Sequence, residues 1–204
     1  MDIQQQVKEI KQSFRQMMDG SIAQSMRNKG VNYKLNWGAT LPRWKEKADG
    51  IGKNYELSIA LWKENVRECK ILATMIMPPD EVLPEVIDIW MEQIISQEIA
   101  EQAAFNLFQY LPYAADKAYT WMASDKELYQ LCGFHILCRL FLNGQEPNER
   151  GINEFIDQAI AALQGDSLPV KKAAMASVQR FAELGLVYER IAKSALKRAN
   201  LEFL

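Results

Sequence analysis

Gln97 and Glu101 stand four residues apart in the stretch SQEIAEQAAFNLF, residues 96–108, which reads as the start of a helix. At that spacing two side chains share one helix face. A carboxylate so placed has two readings. It is the group that stabilises positive charge developing on a substrate, or it is a solvated surface acid beside Glu98, favoured by the helix dipole in the first turn. Lys171 and Lys172 form a second candidate, behind Ser167, Leu168 and Pro169, a cap-then-proline entry into a helix. Two cations there meet phosphates or simply face water.

Other reactive types offer less. His135 is the single histidine, too few for a zinc site, and no nucleophile elbow lies near it in sequence; it reads as a buried residue of a helix face. Cys69, Cys132 and Cys138 are odd in number, form no C-x-x-C pair and sit among apolar residues, so they read as reduced core thiols. There is no Walker loop and no G-x-G-x-x-G fingerprint. No metal, nucleotide or organic cofactor is implied.

The elements that would hold these groups are helices. Apolar residues recur at helical spacing in Val7, Ile10, Phe14; in Leu57, Ala60, Leu61; in Val66, Cys69, Leu72; in Ile94, Ile99, Ala103, Leu107; and in Leu128, Leu131, His135, Cys138, Leu142. No alternating β-branched run and no Asn-Gly hairpin turn occurs. Breaks fall at Asp19-Gly20, Lys29-Gly30, Asp49-Gly50, Pro78-Pro79, Pro112, Gly144 to Pro147, Gly165 to Pro169 and Gly185. The segments between them predict about ten to twelve short helices in a single all-helical domain over residues 1–204. Stacked helical pairs, an α-solenoid or α-α superhelix, suit that pattern, with a plain bundle as the rival. No apolar run reaches the length of a membrane span, and the polar N-terminus lacks a signal-peptide core, so the expected setting is the cytoplasm.

Charge is unevenly spread. The chain carries −2 overall, yet residues 1–53 hold ten Lys/Arg against five Asp/Glu, while residues 54–150 hold seven against fifteen. Arg27, Lys29, Lys34, Arg43, Lys45 and Lys47 cluster in the basic quarter around Trp37 and Trp44, a pattern that could track a nucleic-acid backbone or serve as an ordinary surface. The acidic middle, with Asp88, Glu92, Glu98 and Glu101, argues against a fully active duplex-processing site.

Residues 26–79 carry a resemblance. The Lys-Gly turn, YKLNWG followed by LPRW, then LW and RECKILA, together with DIWMEQI and more loosely VKKAAMASVQ, resemble the DNA alkylation repair family, the AlkD-like glycosylases. The likeness spans roughly residues 20–185 and is most specific in the first half. It implies an all-α superhelix of HEAT-like repeats curving around duplex DNA. Gly30 and Gly38 would then allow turns, Trp37, Trp44 and Trp62 would fill gaps between layers, and Arg67 and Glu68 would tie helix pairs together. Active members excise positively charged N3- or N7-alkylpurines, bases that already leave well, while a carboxylate stabilises the sugar cation and aromatic faces attract the lesion.

The resemblance also implies which positions matter, and each departs from the family pattern. A tryptophan and an aspartate are replaced by Gln97 and Glu101. A second aromatic falls at Ala176, an arginine one turn on at Gln179, and a further arginine near Gln130, whereas Lys171 and Lys172 remain basic. The expected function is therefore that of a DNA alkylation repair-like protein with duplex DNA as partner and an altered glycosylase site in which Glu101 is the candidate catalytic group. The alternative is a non-catalytic HEAT-repeat scaffold for a protein partner.

Overall fold

Why short helices need one another is visible in their faces: several carry an apolar stripe on one side and polar groups on the other, as Ile3–Gln16 does with Val7, Ile10 and Phe14 buried. The computed structural model describes residues 2–28, 33 and 35–201. Among them are twelve α-helices, one 3-10 turn and no strand, only an isolated parallel bridge between Leu35 and Val66. No helix among the described residues is long and apolar enough to cross a membrane. The chain divides into two compact units, Met1–Glu92 and Gln93–Leu204.

The first unit holds α1 (Ile3–Gln16), α2 (Gly20–Asn28), α3 (Leu41–Ile51), α4 (Tyr55–Lys63), α5 (Arg67–Ile76) and α6 (Pro84–Glu92). Helix α5 is buried nearly all round and packs against α3 and α4. Arg67 and Glu68 at its start are 2 % and 0 % exposed. Glu68 Oε1 accepts from the backbone N–H of Trp37 at 3.0 Å and of Ala39 at 3.3 Å, and from Arg67 Nη1 at 3.2 Å. The Arg67 guanidinium also donates to the Ala39 carbonyl and lies 4.7 Å from the Trp44 ring centroid. The expected tie is thus made between α5 and the extended segment ahead of α3. Trp62 and Trp90 stack with centroids 4.1 Å apart and planes 4° apart. Lys70 Nζ lies 4.4 Å from the Trp62 centroid.

Gly38 has φ of +75°, and a Cβ there would lie 2.4 Å from the Asp19 carbonyl, so glycine is required on both counts. Gly30 lies outside the described residues, as do Lys29 and Lys34 of the basic cluster. The break expected at Asp49-Gly50 is displaced: α3 runs through Gly50 to Ile51, and Gly52, with φ of +73°, ends it. Trp37 and Trp44 are 7 % and 3 % exposed, so these indoles fill the core rather than stand among the surface cations.

The second unit holds α7 (Gln97–Asn106), the 3-10 turn Phe108–Tyr110, α8 (Ala114–Met122), α9 (Glu127–Leu142), α10 (Glu149–Gln164), α11 (Leu168–Ala182) and α12 (Leu186–Arg198). Its helices form two layers. In one, α9 packs between α7 and α11; in the other, α8 covers α9 while α10 and α12 cover α11. Gly133 sets the closeness of α8 and α9, because a Cβ there would sit 2.5 Å from the Met122 backbone nitrogen and 2.7 Å from the Ala118 carbonyl. Phe141, Phe155, Phe181 and Tyr188 bring α9, α10, α11 and α12 together through ring contacts of 5.0 to 5.5 Å. Ser177 Oγ donates to the Phe134 carbonyl and Cys132 Sγ to that of Ala100, joining α11 and α7 to α9 by polar contacts inside the core.

Candidate functional site

Ser96 starts α7 by accepting from the Ile99 N–H through its hydroxyl. Ile99, Ala100, Ala103 and Ala104 are then buried against the rest of the unit, which leaves Gln97, Glu101 and Phe105 on the open side at i, i+4 and i+8. The small alanines allow α9 to approach. Its own open side carries His135 and Arg139, one turn apart.

These two faces meet. Gln97 Nε2 donates to Glu101 Oε1 at 2.7 Å. His135 Nε2 lies 3.9 Å from that same oxygen, with the His135 and Glu101 side chains 32 % and 41 % exposed. The Nε2 atom itself is covered and makes no hydrogen bond. Burial pushes the His135 imidazole below its usual pKa; the Glu101 carboxylate pulls it back up, and Arg139 pushes it further down. The Arg139 guanidinium lies 4.4 Å from the Phe105 ring centroid.

The remaining sequence candidates stand elsewhere on the unit. Gln130 is half-buried, and its Nε2 donates to the Ser124 carbonyl at 2.7 Å, so it closes the turn between α8 and α9. Five residues separate it from His135, about 140° around the helix axis. Lys171 and Lys172 are the fourth and fifth residues of α11, near its start, where Ser167 Oγ accepts from the Val170 N–H as the cap-then-proline pattern predicts. Lys172, Ala176 and Gln179 follow at i, i+4 and i+7 along the unburied side of α11.

His135 and Arg139 were not foreseen as neighbours of Glu101. The sequence predicts a buried helix-face residue at position 135, whereas the side chain is partly open, with Nε2 near the carboxylate. The signal for Arg139 was a lone cation inside the apolar run LCGFHILCRLFL, where an arginine needs a partner or an exit to water. Cys69 and Cys132 are buried and all three thiols are free. Burial pushes the Cys69 thiol up to about 12 and Cys132 higher still, so neither is a nucleophile near neutral pH.

Comparison with known proteins bears on this arrangement. The sequence model of the family described as DNA alkylation repair enzyme matches residues 10–180. A solved structure described as belonging to a new family of proteins related to the HEAT-like repeat DNA glycosylases, with affinity for branched DNA structures, is similar with a TM-score of 0.84. The two share 19 % sequence identity, over 98 % of this chain and 83 % of the other, a likeness that carries the fold. No curated protein matches the chain.

Proposed function

The chain belongs to the DNA alkylation repair enzyme family, and from that premise we propose that it binds DNA through the open side of α7, α9 and α11, with Glu101 meeting the deoxyribose. The observation that carries this reading is the Glu101 carboxylate, half-exposed on a helix face and oriented by Gln97. The affinity of the structural neighbour for branched DNA is in keeping with DNA as the partner.

The chemistry follows from the charge. A cationic alkylpurine leaves as a neutral base when its glycosidic bond breaks, and the positive charge passes to the sugar. A carboxylate fixed beside that sugar stabilises the transition state more than the ground state. Water then attacks the sugar carbon and loses a proton, completing hydrolysis.

Three features weaken the site. One oxygen of Glu101 already accepts a hydrogen bond from Gln97, which disperses its charge before any sugar arrives. Glutamate also carries its carboxylate one methylene further out than aspartate, and a displacement of about 1 Å costs roughly 100-fold in rate. Gln97 offers no ring to attract the lesion, an interaction worth about 0.5–2 kcal/mol. The protein is therefore a DNA binder with slow excision.

Release of N7-methylguanine from a duplex tests this. The wild type should exceed uncatalysed depurination by a small factor, and Glu101→Gln should bring release down to the uncatalysed rate with duplex affinity retained. Release unaffected by E101Q overturns the role of Glu101. Absence of any salt-dependent DNA binding overturns the reading as a whole.

A further inference from the structure

We propose that Arg139 is the phosphate anchor of this face, a guanidinium that grips one phosphodiester of the bound DNA beside the sugar met by Glu101. The inference rests on the DNA-binding reading above and adds a residue that the family resemblance did not point to, since the expected arginine positions fall at Gln130 and Gln179.

The environment of Arg139 differs from that of the paired arginines. Arg67 is matched by Glu68, Arg180 by Glu183 and Arg43 by Glu46. Among the described residues Arg139 forms no ion pair, and its Nε is covered with no hydrogen-bond partner. The residue as a whole is partly exposed, and an anion that reaches its guanidinium supplies the charge partner it lacks. The side chain is also held in place. Its guanidinium carbon lies 4.4 Å from the Phe105 ring centroid, a cation–π contact that restrains the side chain. A planar fork matches two oxygens of one phosphate, a geometry that an ammonium does not offer.

Position selects the ligand. Arg139 follows His135 by one turn, about 6 Å along α9, and His135 faces Glu101. A carboxylate and a guanidinium separated on this scale suit a sugar and its own phosphate, the first developing positive charge and the second carrying negative charge. A lone carboxylate of a peptide would satisfy Arg139 and be repelled by Glu101. The lysines at the start of α11 supply general attraction to a backbone; Arg139 supplies a fixed contact.

Counter-ion release reads this contact directly. Affinity for an unmodified DNA duplex is measured by fluorescence anisotropy over a range of salt concentrations for the wild type, Arg139→Gln, Arg139→Lys and the α12 control Lys193→Gln. The log–log salt slope should shrink by about 0.9, one phosphate's share, in R139Q, with affinity down about 10-fold. R139K should keep the slope and still lose affinity several-fold, because its charge remains but its fork does not. K193Q should change neither quantity. If the wild type binds and R139Q matches it in slope and affinity, the anchor is refuted while the DNA reading stands. If the wild type shows no salt-dependent affinity, both fall together. Should R139Q fail to fold, R139K decides alone: affinity equal to wild type refutes the anchor.

Discussion

His135 shows how a single ring depends on its surroundings. Burial lowers its pKa, Glu101 on α7 opposes that shift, and Arg139 on α9 adds to it. In the unfolded chain it titrates near pH 6.5. Its folded value is lower, so the unfolded state binds more protons in the interval between the two, and stability rises with pH there. The contribution is complete above about pH 6.5 and is lost as pH falls toward the folded value. Asp19, held below the usual carboxylate range chiefly by its hydrogen bond with Ser21, acts only in a more acidic window. Melting temperature should therefore decline from pH 7.5 to 5.5 in the wild type, and His135→Gln should flatten that decline. An unchanged slope in H135Q would place the titration elsewhere. The spacing of Gln97 and Glu101 was legible because one helix determines it. The approach of His135 was not, because it depends on the packing of α9 against α7, which no spacing within either helix encodes.

At the scale of elements, the resemblance pointed correctly to Gly38, Arg67 and Glu68, all tied to local turns or to the start of α5. The resemblance does not point to Gly133, although a glycine within an apolar helical run often marks close backbone approach. Here the neighbours are backbone atoms of α8, which cannot swing aside as a flexible side chain would. Gly133→Ala should push α8 away from α9 and cost about 1–3 kcal/mol by overpacking, read as a lower urea midpoint. Full retention of stability would mean that the two helices part more easily than their contacts imply. The misplaced break at Asp49-Gly50 has a similar lesson. Either of two glycines close together can end a helix, and the one that adopts left-handed backbone, Gly52, does so.

For the whole molecule, the sequence expectation of one domain over residues 1–204 makes a prediction about cooperativity. Trp37, Trp44, Trp62 and Trp90 lie within the first compact unit, and Trp121 lies in the second. In a Trp121→Phe variant, tryptophan emission reports residues 1–92 and far-ultraviolet dichroism reports every helix. A single domain gives coincident urea transitions by both probes; separated midpoints would mean that the units unfold independently. The all-helical class was legible throughout, because amphipathic periodicity is local and repeated. The candidate site positions all lie beyond residue 92, where the resemblance is looser, and the cations of the acidic middle that rest on aromatic rings, such as Arg139 on Phe105 and Lys70 on Trp62, are brought there by packing that no spacing along the chain displays.

The stacked indoles of α4 and α6 have a consequence for descent. With rings only 4.1 Å apart and nearly parallel, neither Trp62 nor Trp90 can shrink without leaving the other beside a slot one ring thick. Positions 62 and 90 should accordingly covary among relatives, both aromatic or both refilled by branched aliphatics, with mixed pairs rare.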